Sequence, residues 1–181
     1  MRQNGSKRWL AGGLLALFVW LAHGPAQAEL ASEQMVKAGF LYNFVKFTQW
    51  PGVREGDRSP LQICTPGAQP LDGQVALLHG RSIGSRIIEI RNNVQSSEWR
   101  SCAVLFIAEG DTSRMESAIR GLGNAPVLTV SDAQDFVQAG GMIGMRIDDN
   151  RVRFDINLGA AQRAGLALNS QMVKLAGQVL R

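Results

Sequence analysis

Ala103-Val104-Leu105-Phe106-Ile107-Ala108 is a run of six apolar residues, and its reading decides the fold. A strand with one wet face alternates apolar and polar side chains; an unbroken apolar run of this length suits a strand covered on both faces of a parallel sheet. We place it at the sheet centre. Upstream, Leu61-Gln62-Ile63-Cys64 reads as a short strand, residues 71–78 as a helix and residues 86–90 as another strand. Downstream, a helix over residues 112–119 leads to a strand at 127–130. A further helix is expected to start at the N-cap candidates Ser131 and Asp132. Such alternation predicts an α/β fold with a mostly parallel sheet and helices on both faces.

Farther out, Val36, Phe40, Leu41, Phe44, Val45 and Phe47 recur at helical spacing from Ser32 until Trp50-Pro51 stops the helix. Asp149-Asn150 sits between two alternating runs and suits a two-residue hairpin turn. Pairing Asp148 with Arg151 sets Ile147 opposite Val152, Met145 opposite Phe154 and Ile143 opposite Ile156, so all six apolar side chains share one face. The other face collects Arg146, Arg153, Asp155, Asp148 and Arg151. Residues 158–164 read as a short helix closed by Gly165, and Leu168, Met172, Leu175, Ala176 and Val179 mark a C-terminal helix from Asn169 or Ser170. The expected architecture is one domain, its sheet ending in a C-terminal β-hairpin followed by helices.

Residues 1–28 read as a cleavable secretory signal peptide. Arg2, Lys7 and Arg8 precede an apolar run of 14 residues from Trp9 to Ala22, and Ala26-Gln27-Ala28 offers a small-x-small cleavage site. The run is short for a membrane span of about 20 residues. The expected mature domain, residues 29–181, acts in the periplasm. The leader carries three of the 19 basic residues and none of the 15 acidic ones, so the formal charge of +4 falls to about +1 on its removal. That balance gives no concentrated basic face and no reason to expect nucleic acid as a partner. Cys64 and Cys102, the only cysteines, are then both exported, and a disulfide is the expected state in an oxidising compartment. One ends a strand and the other precedes one, so the first strand must be short or staggered for the Cα atoms to come within about 7 Å.

The mature segment holds one histidine, His79, too few for the usual zinc sites once both cysteines are bridged. His79 is read as a helix-end residue. No G-x-S-x-G elbow, G-x-x-x-x-G-K-[ST] loop or G-x-G-x-x-G after a strand is present. No catalytic residue, metal or cofactor is therefore assigned. Two candidate sites remain. Ser131 and Asp132 would lie at the carboxyl edge of a parallel sheet, where α/β folds often bind ligands, although helix capping explains both residues without any ligand. The hairpin sets Arg146 against Arg153, a like-charge pair that needs an offset. Asp148 and Asp155 could supply it diagonally; otherwise the cluster, with Arg163, would contact an acidic partner.

Several segments resemble the YfiR family of periplasmic regulators. They are the stretch from Val36-Lys37-Ala38-Gly39-Phe40 through Trp50-Pro51, Cys64 in its strand, Cys102 before Val104-Leu105-Phe106-Ile107, Leu128-Thr129-Val130-Ser131-Asp132, Gly140-Gly141-Met142-Ile143, and Arg151-Val152-Arg153-Phe154-Asp155-Ile156-Asn157. The resemblance implies a compact α/β domain that inhibits an inner-membrane diguanylate cyclase through that enzyme's periplasmic part. It further implies relief by an outer-membrane lipoprotein, a rise in cyclic di-GMP that promotes biofilm, a homodimer, and redox sensitivity at Cys64 and Cys102.

Overall fold

The computed structural model describes residues 25–54 and 56–181. Residues 1–24, most of the expected signal peptide, lie outside them. Helix α1 (Pro25–Lys46) begins before the expected cleavage point and ends four residues short of Trp50. Its last turn is closed by the Phe47 amide donating to the Asn43 carbonyl, and by the Thr48 hydroxyl donating to that of Phe44. Thr48–Gln49 then forms strand β1. The buried stripe of α1 is Lys37, Ala38, Leu41, Phe44 and Val45, whereas Val36, expected on that face, is exposed.

The remaining strands are β2 (Leu61–Cys64), β3 (Ser82–Ile83), β4 (Arg86–Arg91), β5 (Val104–Ile107), β6 (Leu128–Ser131), β7 (Ile143–Asp148), β8 (Arg151–Asn157), β9 (Ala167–Leu168) and β10 (Val179–Leu180). Eight form one sheet in the order β10-β8-β7-β6-β5-β2-β4-β3, with β1 and β9 paired separately. From β4 through β2, β5 and β6 to β7 every pairing is parallel; β7 with β8 and β3 with β4 are antiparallel. This is a mixed α/β domain with a mostly parallel sheet, as the alternating pattern predicts.

Strand β5 is central and wholly buried, and its side chains divide the core. Val104 and Phe106 point into the layer containing α1, while Leu105 and Ile107 join the opposite layer, beneath helix α2 (Thr112–Leu122). Two apolar layers on a four-residue strand explain why no polar residue interrupts it.

Three expected helices differ. Residues Pro70–Leu78 form a 3-10 segment, broken where Leu71, Asp72 and Gly73 turn left-handed after Pro70; Leu71, Val75 and Leu78 stay buried, so burial survives without a continuous helix. No helix follows Ser131. Its hydroxyl accepts from the Ala133 amide and donates to the Ile107 carbonyl, and the chain turns through Asp135 (φ 57°) and Gly140 (φ 105°) into Gly141. A Cβ at Gly141 would lie 2.2 Å from the Phe136 ring, so only glycine closes this turn over the phenyl group. The third departure is C-terminal. Helix α3 (Leu158–Arg163), capped by the Asn157 side chain, is the short helix expected there, but α4 (Ser170–Lys174), capped by Asn169, stops after five residues, and Val179–Leu180 is a strand beside β8. The Gly177 amide donates to the Phe154 carbonyl and the Ile156 amide to that of Gln178, satisfying backbone groups that β8 would leave open at the sheet edge.

Candidate functional site

The hairpin has the register its sequence predicts: Asp148 faces Arg151, Ile147 faces Val152, Arg146 faces Arg153, Met145 faces Phe154 and Ile143 faces Ile156. Asp149 and Asn150 take the left-handed conformations (φ 48° and 57°) that a primed two-residue turn requires. On the apolar face Ile143, Met145, Phe154 and Ile156 are buried, and Phe154 stacks edge-on against Phe44 of α1 with ring centroids 5.0 Å apart. Near the turn the cover ends, and Ile147 is exposed.

The polar face resolves the like-charge pairing unequally. Arg146 Nε donates to Asp155 Oδ2 at 3.0 Å and its Nη1 meets Asp148 Oδ2 at 2.9 Å. The hydrogen bonds to Asp148 and Asp155 hold the guanidinium above its ordinary range. Asp155 is buried because Gly177 passes over it: a Cβ there would stand 2.9 Å from Arg146 Nη2 and 3.0 Å from Asp155 Oδ1. Arg153 and Arg151 are exposed and make no ion pair among the described residues. Arg163, also exposed, lies in the last turn of α3, on a hollow of about 210 Å³ shared with Gly123, Thr129 and Gly140. No ion pair joins it to the hairpin cluster. The structure thus unites Arg146, Asp148 and Asp155, leaves Arg153 exposed and outside any ion pair among the described residues, and puts Arg163 on a separate element.

Ser131 and Asp132 are engaged internally. Asp132 Oδ2 pairs with the Lys37 ammonium at 2.9 Å, and its Oδ1 accepts the Glu109 amide at 2.8 Å. Lys37 also meets Glu33 at 2.8 Å. Burial pushes the Lys37 ammonium down, but its bonds to Glu33 and Asp132 and the charges of both outweigh that and hold it above 10.5. Sequence reading missed this clamp because a lysine on a helix normally faces solvent. Its signal was Lys37 standing beside Ala38 and one turn before Leu41, on the stripe that became the core.

Cys64 and Cys102 are bonded, with Cα atoms 6.0 Å apart. The stagger that geometry demanded is present: Ile63 faces Val104 and Cys64 faces Leu105, so β2 overlaps only the start of β5. Cys102 follows a 3-10 turn, Ser96–Ser101, that brings the chain back toward β2. His79 ends the Pro70–Leu78 segment, its Nδ1 accepting the Ile90 amide at 3.3 Å. Among the described residues no group of three His, Cys, Asp or Glu side chains could hold a metal ion, and no helix is long and apolar enough to cross a membrane.

The model of the YfiR/HmsC-like family matches residues 34–177. The chain belongs to that family. Membership suggests a periplasmic regulator of cyclic di-GMP signalling, and the family is regulatory rather than catalytic. Among solved structures, the chain is similar to an ABC domain from Streptococcus pneumoniae solved in complex with L-Trp, at 10% identity and a TM-score of 0.52, over 82% of this chain and 60% of that one. It is also similar to a conserved domain protein from Vibrio cholerae O1 biovar El Tor, at 11% identity and a TM-score of 0.51, over 81% of this chain and 60% of that one. The YfiR/HmsC-like chain thus spans about three fifths of the length of either structure, and at these identities the likeness concerns the α/β fold alone.

Proposed function

We propose that this protein is a non-enzymatic periplasmic regulator that restrains an inner-membrane diguanylate cyclase by binding that enzyme's periplasmic part, through the open polar face of β7 and β8 together with Arg163. An outer-membrane lipoprotein competing for the protein would release the cyclase. Family membership carries the signalling role. The surface assignment rests on the contrast between Arg146, neutralised by two carboxylates, and Arg153 directly opposite it, exposed and unpaired. An unpaired cation on a strand held rigid from behind by Phe154 is a suitable contact for an acidic patch, where charge sets encounter rate and orientation.

Deleting the gene should raise cellular cyclic di-GMP, and restoring the exported protein should lower it again. Arg153→Glu with Arg163→Glu should restore less of that repression while leaving the melting temperature within about 2 °C, because exposed substitutions change stability by only about 0.5 kcal/mol. Unchanged cyclic di-GMP on deletion would dispose of the regulatory reading. Full repression by the double variant would dispose of the surface.

A further inference from the structure

The parallel strands run in the spatial order β4-β2-β5-β6-β7, so the chain goes from β2 outward to β4, then crosses back over β2 to β5. That reversal creates a topological switch point, and in open α/β sheets the crevice outside the carboxyl ends of the strands at such a point is where ligands lodge. A cavity of about 330 Å³ opens beside it. Pro66, two residues beyond β2, forms one wall, and Asn93 and Gln95, just beyond β4, form another. Ser96 and Trp99 of the following 3-10 turn and Arg114 of α2 complete it.

Donors dominate the lining, and no carboxylate belongs to it. Trp99 lines the cavity but is 94% buried, and its unpaired indole Nε1 is closed off from solvent. Arg114 Nη1 donates to the Pro66 carbonyl at 2.7 Å and stands 3.6 Å from Asp111 Oδ1, which leaves other guanidinium N–H groups of this half-exposed side chain unassigned. The walls are also preorganised. The Asn93 amide donates to the Gly67 carbonyl, the Val94 amide donates to that of Thr65, and Glu98 pairs with Arg91. The disulfide then fastens the end of β2 to the end of the 3-10 turn that carries Trp99.

We infer that this cavity is a binding site for a small anionic metabolite, whose carboxylate or phosphate oxygens accept from Arg114 and from the amide and hydroxyl groups of Asn93, Gln95 and Ser96, beside the Trp99 side chain. It is separate from the hairpin surface and independent of the cyclase assignment.

The two indoles of the exported chain make the test specific, since Trp50 Nε1 is already committed to the Ala103 carbonyl at 3.0 Å and serves as an internal reference. The oxidised protein, labelled with nitrogen-15, is titrated with succinate and separately with inorganic phosphate, against sodium chloride at equal ionic strength. A saturable shift of the Trp99 indole resonance with either anion, with Trp50 stationary, is the expected result, and the effective anion identifies the group. Arg114→Gln should weaken that titration at least tenfold. Because Arg114 also holds Pro66, Ser96→Phe, which fills the rim from an exposed position, is the second variant and should do the same. A Trp99 resonance unmoved by both anions, one that follows chloride equally, or titration unaltered in both variants overturns the assignment.

Discussion

The two halves of the eight-stranded sheet differ in how they are covered. Around β2, β5 and β6 both faces are buried, by α1 on one side and α2 on the other, and the disulfide ties β2 to the approach of β5. Around β7 and β8 the α1 side is filled by the Phe40, Phe44 and Phe154 rings, whereas the other face is covered only at Gly144 and Asp155 and carries Arg146, Asp148, Arg151 and Arg153 into solvent toward the turn. A doubly covered strand commits every side chain to packing. A singly covered one keeps half its side chains for another purpose, on a backbone that packing from behind holds still. The contrast places the more complete packing in the inner strands; the contact surface proposed above lies on the outer ones.

The largest expected effect probes the inner half. Replacing Cys64 and Cys102 together with alanine removes a cross-link over a separation of 38 residues, which the chain-entropy account values at about 4 kcal/mol. Urea unfolding of the oxidised protein and the double variant measures the difference; a loss below about 1 kcal/mol would mean that the inner half does not depend on its staple.

A smaller effect, about 3 kcal/mol, is expected where the halves meet, at the Lys37 clamp on the loop after β6, since breaking one side of a buried ion pair leaves the other uncompensated. With its folded-state pKa raised, Lys37 contributes in full below its ordinary value of 10.5, and the contribution disappears as pH rises through the higher folded value. Unfolding free energies measured from pH 9 upward should therefore fall more steeply in the parent than in Lys37→Met, whose deficit narrows with pH. Parallel curves would remove the clamp.

The smallest effects separate the facing arginines of the outer half. Arg146→Ala should destabilise by about 1 kcal/mol, because it strips buried Asp155 of its partner while the guanidinium itself is half exposed. Arg153→Ala should lie within about 0.5 kcal/mol of the parent. Thermal denaturation of the two single variants checks the order, and equal losses would show that Arg153 is engaged after all.

Much of this was legible without coordinates. The central apolar run, the Leu61–Cys64 strand and every pair of the hairpin register follow from periodicity and from the Asp149-Asn150 turn, because these signals are local. The misread segments are those in which local pattern and distant demand disagree. Leu175, Ala176 and Val179 have helical spacing, yet Leu175 is exposed and Val179 pairs with Ile156, since β8 had edge hydrogen bonds to fill. That same strand brings Gly177 over Asp155, so the missed element is what turns one carboxylate of the polar face into a buried anchor for Arg146. The Trp99 cavity was invisible for the same reason: its walls come from three separate stretches of chain.

The sequence alone determined the α/β class, the order of the main elements, the hairpin pairing and the availability of two cysteines for a bridge, all of which depend on neighbours a few residues apart or on composition. Only the tertiary structure decided which charges are bound and which are free. Lys37, Asp132, Arg146 and Asp155 find their partners across the fold, and whether a charge is neutralised depends on distance in space and on what excludes water around it, neither of which the order of residues states.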